Sequence, residues 1–245
     1  SCRPRHLYFH TSSCLAAFFI PMLWAPIYSH RSRCPFNPEK VWTSAIIIPL
    51  KWMAAFLSGA RGTLRRTYYL ADFMGSGEDV EIVCDASPTK LGAFLVEHGA
   101  ITEYFEDELT AEDEWRLSAT RGDSTGQQVW EALTMLCALR LWSEKWVQRR
   151  IHLRVTGDSV SALTMVVKMC AKGVGTALLA RELALDVAEA IYEPLVCTHI
   201  PGVANVLADF LSRRGSHGYD ELPAPLRGAT ARQLPARDAS WWRTV

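Results

Sequence analysis

The stretch DVEIVCDASPTKLGAFLVEHGAITEYFEDEL (residues 79–109) decides the fold of this chain. Its first part, DVEIVCDAS, reads as a buried strand closed by the turn residues Ser87 and Pro88. LGAFLVEHG reads as a second strand reached by a short turn. AITEYFEDEL reads as a third, after the turn at His98 and Gly99. Together they predict a three-stranded antiparallel meander. Downstream, QQVWEALTMLCALRLWSEKW predicts a helix over residues 127–146, with Leu133, Leu136, Leu139 and Trp142 at helical spacing. RIHLRVTGDS is then a fourth strand, residues 160–169 and 175–191 are helical, PLVCTHI is a fifth strand, and residues 204–212 form a last helix. The order βββαβααβα implies an α/β domain, with a five-stranded mixed sheet flanked by helices.

Outward from that core, the chain divides near Gly75-Ser76-Gly77. Residues 1–77 form a mostly helical or irregular N-terminal appendage, with an amphipathic helix around residues 50–57 ended by Gly59. Residues 78–215 form the α/β domain. Residues 216–245, with Pro223, Pro225 and Pro235, read as a linker or tail. The start without an initiating Met reads as a cut from a longer polyprotein. Of the 245 residues, 49% are hydrophobic and 21% charged, which suits a sizeable core and excludes a disordered class. The formal net charge of zero argues against a strongly basic, nonspecific nucleic-acid binder, though it leaves room for a local basic patch. Seven scattered cysteines without a C-x-x-C pair read as reduced, mostly buried thiols of an intracellular protein and make a zinc site improbable. CLAAFFIPMLWAPIY (residues 14–28) falls short of a membrane span and carries two prolines, so the chain is expected to be neither membrane-bound nor secreted.

Four acids stand in apolar company. Asp85 and Asp158 end the first and fourth strands, so both emerge at one edge if those strands are adjacent and parallel. Glu131 lies between Trp130 and Ala132, and Asp209 between Ala208 and Phe210. Each has an ordinary explanation. Asp85 suits a turn, Asp158 a helix N-cap, and Glu131 and Asp209 a solvated helix face. Brought together, they would repel one another. The shared use of such a group is to bind hard divalent cations through oxygen, and two such ions can activate water against a phosphodiester.

DASPTKLGAFL, QQVWEAL, VTGDSVSAL and HIPGVANVLADFLSR together resemble the ribonuclease H domain of retrotransposon reverse transcriptases, of the long-terminal-repeat type or related, over residues 79–214. The last motif is the most specific, matching an H-x-P-G-x-x-N-x-x-A-D-x-L-S-R run. LKWMAAFLSGARGTLRR (residues 50–66) is loosely similar to the segment between polymerase and ribonuclease H, at the thumb or connection end. The resemblance implies a ribonuclease H-like fold and hydrolysis of the RNA strand of RNA–DNA hybrids, leaving a 3′-hydroxyl and a 5′-phosphate. It implies two Mg²⁺ ions, with Mn²⁺ able to substitute. Asp85 would bridge both metals, Glu131 and Asp158 would hold one, and Asp209 would complete the second site. His199 and Asn205 fall at accessory positions. Arg140, Lys145, Arg149, Arg150 and Arg154 form a basic run suited to gripping the DNA strand, or to stabilising a helix C-terminus. The implied partners are the hybrid duplex and the rest of the reverse transcriptase polyprotein. An integrase or transposase would carry its Glu late in the chain, whereas here it lies between the first and second Asp. The remaining rival is an inactive, transposon-derived module of the same fold that binds nucleic acid or is purely structural.

Overall fold

A computed structural model describes residues 33–34, 37–41, 43–60, 77–146, 151–168, 173–189 and 196–243. The apolar run at residues 14–28 lies outside them, and no helix among the described residues is long and apolar enough to cross a membrane. Strands β1 (Arg33–Cys34) and β2 (Asn37–Val41) pair antiparallel and lead into α1 (Thr43–Leu57). The meander follows as β3 (Glu78–Ala86), β4 (Lys90–Glu97) and β5 (Ala100–Glu108), antiparallel throughout. Next come α2 (Ala111–Leu117), α3 (Gln127–Trp142), β6 (Ile151–Gly157), α4 (Val160–Lys168), α5 (Val174–Glu189), β7 (Val196–His199) and α6 (Val206–Arg213). A short β8 (Thr230–Ala231) closes the order.

The expected mixed sheet flanked by helices is present, with six strands instead of five, in the order β7-β6-β3-β4-β5-β8. The sixth strand comes from the tail. Leu226 is buried against the sheet beside Tyr104, and β8 then runs parallel to β5, where Arg232 N donates to Tyr104 O at 2.7 Å. Residues 216–243 are therefore no free linker. Pro223 is extended and leads into a single 3-10 turn over Ala224–Leu226, while Leu226, Arg237 and Trp242 are buried anchors. Helix α2 was also absent from the sequence expectation. Its capping box, with Thr110 Oγ1 accepting from Asp113 N and the Asp113 carboxylate accepting from Thr110 N, was readable as T-x-x-D.

Successive residues of β3 face opposite sides, as strand geometry requires. Val80, Ile82 and Cys84 join the larger core with α3, α4, α5 and Trp242. Val83 joins the smaller one, made by Phe94, Tyr104, Leu226 and the Ala208, Phe210 and Leu211 face of α6. Trp130, Trp142 and Trp146 are buried in the larger core. Helix α6 lies very close to β4 because position 92 is a glycine. A Cβ there would fall 2.4 Å from Ser212 N and 2.7 Å from Leu211 Cβ.

Candidate metal centre

Strands β3 and β6 are neighbours and parallel, with Val83 opposite Thr156, so their carboxyl ends leave the sheet together. Asp85 sits at one end and Asp158 just beyond the other. Neither does the ordinary job its position suggests. The turn after β3 is tied by Ser87 Oγ, which accepts from Lys90 N at 2.9 Å. The start of α4 is capped by Ser159 Oγ, which accepts from Ala162 N. Glu131 lies in the second turn of α3 and is 3% exposed, so it is not on a solvated face. One carboxylate oxygen each of Asp85, Glu131 and Asp158 lie within 4.8 Å of one another.

Asp85 is 4% exposed, and its Oδ2 accepts from the Ser212 hydroxyl on α6. Burial pushes its pKa up to about 7; the Ser212 hydrogen bond works against this, and the charges of Asp158 and Asp209 add to it. Burial, and then the charge of Asp85, hold Glu131 well above the usual carboxylate range. Glu131 Oε1 accepts from Gln127 Nε2 at 2.9 Å, and the same amide donates to Ala86 O. Glu131 Oε2 is buried without a hydrogen-bond partner. Unneutralised like charges, an all-oxygen donor set and an orphaned buried oxygen fit a hard divalent cation.

Asp209 lies outside this group of three, although its charge reaches Asp85. Its Oδ1 accepts from Arg213 Nε at 2.6 Å, and its Oδ2 from Tyr219 Oη at 3.3 Å. Asn205, 2% exposed, donates from Nδ2 to Cys84 O at 3.0 Å, which pins the start of α6 to β3 one residue before Asp85. Its backbone O accepts from Asp209 N, while its side chain makes no N-cap bond. His199 is exposed at the end of β7, opposite Gly157. The Gly202 turn that follows it approaches the site, since a Cβ at Gly202 would lie 3.0 Å from Asp158 Oδ2.

The basic run divides. Arg140 is bound to Glu182 and Asp186, and Lys145 to Glu97 and Glu103 at 2.8 and 2.9 Å. Both cations therefore serve internal pairs, a correction to their expected place on a nucleic-acid surface. Arg149 and Arg150 lie outside the described residues, and Arg154 is exposed on β6. The sequence reading missed Gln127 and Ser212. Gln127 was legible as the residue one turn before Glu131. Ser212 was visible only as the serine of the L-S-R run.

No family model and no curated protein matches the chain. Among solved structures it is similar to RNase H1 of the halophilic archaeon Halobacterium salinarum, at 19% identity and a TM-score of 0.41, over 54% of this chain and 93% of that one. It is also similar to LC11-RNase H1 isolated from compost, at 17% identity and a TM-score of 0.41, over 55% and 91%. A foamy viral protease-reverse transcriptase in complex with double-stranded DNA matches at 13% identity and a TM-score of 0.33, over 76% of this chain and 34% of that one. The class the chain's own geometry defines is an α/β domain with an acidic cluster at the carboxyl edge of two parallel strands.

Proposed function

We propose that this chain is a metal-dependent ribonuclease H that hydrolyses the RNA strand of RNA–DNA hybrids within a retroelement reverse transcriptase. The observation that carries the reading is the meeting of Asp85, Glu131 and Asp158, each from a different element, within 4.8 Å of one another. The order of acids along the chain and the motif at residues 199–213 support the same reading. Asp85, Glu131 and Asp158 would hold Mg²⁺ or Mn²⁺, and Asp209 would complete a second position. Bound there, the cations supply an activated water and stabilise the leaving oxygen of the phosphodiester. Gln127 fixes one oxygen of Glu131, and the other, Oε2, is a buried acceptor without a hydrogen-bond partner. Asp158, half-buried, forms the more open side of the site. Arg154 offers an exposed cation for a phosphate of the duplex.

One observation favours a second reading, a module that keeps the fold and binds nucleic acid without cutting it. Asp209 is already occupied by Arg213 and Tyr219. Incubation of the full chain with an end-labelled RNA–DNA hybrid in Mg²⁺ or Mn²⁺ separates the two. Cleavage of the RNA strand is expected, and Asp85→Asn or Asp158→Asn should reduce it by more than about 100-fold, the upper end of the losses seen for mere outer-shell partners. A folded wild-type chain that cuts nothing in either metal, yet retards the hybrid in a gel, establishes the second reading.

A further inference from the structure

We infer that Ser212 is a positioning residue for the central carboxylate, seated against Asp85 by the glycine at position 92; this rests on the metal-dependent reading of the site. Ser212 is fully buried in the last turn of α6. Its hydroxyl reaches two acceptors, Asp85 Oδ2 and, at 3.0 Å, Asp209 O. A hydroxyl has one proton to donate, and the ionised carboxylate is the stronger acceptor, so the proton goes to Asp85. That bond fixes one oxygen, and with it the plane, of a carboxylate that lies within 4.8 Å of Glu131 and Asp158.

The approach depends on β4. Any side chain at position 92 would strike the backbone of Ser212, so only glycine lets α6 come close enough for the hydroxyl to reach the strand. The helix is held at its other end as well, by Asn205 on Cys84 O. Two consecutive residues of β3, Cys84 through its carbonyl and Asp85 through its carboxylate, are thus gripped from the two ends of one short helix. The helix that carries Asp209 therefore also sets the orientation of Asp85. Burial contributes a polar hydroxyl to a dry site for which no packing role is evident, because Ala would fill nearly the same space.

Titration of the full chain with Mn²⁺ by calorimetry tests this, with Ser212→Ala and the near-isosteric Ser212→Cys, whose thiol is a weak donor. Mn²⁺ affinity should fall about 10- to 100-fold in Ser212→Ala, as for other residues that orient a ligating group, with Ser212→Cys in between. The half-saturating Mg²⁺ for cleavage should rise in parallel while KM for the hybrid stays unchanged. Wild-type Mn²⁺ affinity in a folded Ser212→Ala chain overturns the inference. A wild type that binds Mn²⁺ but cuts no hybrid sinks only the functional reading, because the affinities of the variants still decide the role of Ser212. A wild type that binds no Mn²⁺ overturns both.

Discussion

Two parts of this molecule bury charge, and they do so in opposite ways. On the face where α3 and α5 meet the C-terminal segment, Arg140, Glu182, Asp186 and Arg243 are paired with one another. Arg140 donates to Glu182 and Asp186 at 2.6 Å each and stacks on Trp241 with its guanidinium 4.3 Å from the ring centroid. Arg243 N donates to both oxygens of Glu182, and its guanidinium to Asp186. Nearby, Arg237 binds Asp113 at 2.9 Å, Asp107, and Glu108 O. At the carboxyl edge of β3 and β6, by contrast, three carboxylates converge, and among the described residues the nearest cation acting on Asp85 is Arg213, which is itself bound to Asp209. A buried ion pair costs little beyond its desolvation once made, but becomes expensive when one partner is removed. A cluster of one sign is expensive as it stands, and losing a member relieves it. The first arrangement serves the fold. The second is retained at the expense of the fold, which is the mark of a site with work to do.

The comparison can be broken by substitution. Arg237→Ala leaves two carboxylates uncompensated, with Asp113 fully buried, and should destabilise the chain by about 3–5 kcal/mol in urea denaturation. Asp85→Asn should do the reverse in the presence of a chelator, adding on the order of 2 kcal/mol at pH 8. The sign follows from a pKa of about 7 in the folded chain against an unfolded value of about 3.9. The folded chain bears the cost of ionising this group above pH 7 and sheds it as the pH falls towards 4. The gain from Asn should therefore shrink across that window and be gone at pH 4. A loss of stability at pH 8 in this variant would show that the cluster is structural. The smallest effect belongs to Arg213→Ala. Its pair with Asp209 is half-exposed and spaced i,i+4, so the change in stability should stay below about 0.5 kcal/mol and vanish in high salt.

Legibility in the sequence followed the same division. Asp85 and Asp158 stood out because each closes an apolar strand, and strand ends are local features that turn chemistry marks. Glu131 stood out by its apolar neighbours. The fate of the basic residues was hidden. Arg140 and Asp186 lie 46 positions apart, and nothing in the pattern around Arg140 distinguishes a cation bound inside from one offered to a ligand. Asp209 was read as one of four converging acids, yet the structure ties it to Arg213 on its own helix and to Tyr219 beyond it. The packing of the tail is not legible because its prolines resemble those of a linker, whereas its anchors are single residues, Leu226 and Trp242, without periodicity.

The sequence by itself determined the meander, the alternation of strands and helices after it, and the placement of acids where strands end. These are local consequences of hydrophobic period and turn residues. Only the tertiary structure decided that Asp85 turns towards α6 while its neighbour Cys84 faces α3, so that the site is assembled from both sides of the sheet. It also decided that Ser212 reaches Asp85, because that contact requires an absent side chain at Gly92, 120 positions earlier. Contacts of this kind depend on the separation between packed elements, which no single stretch of chain encodes.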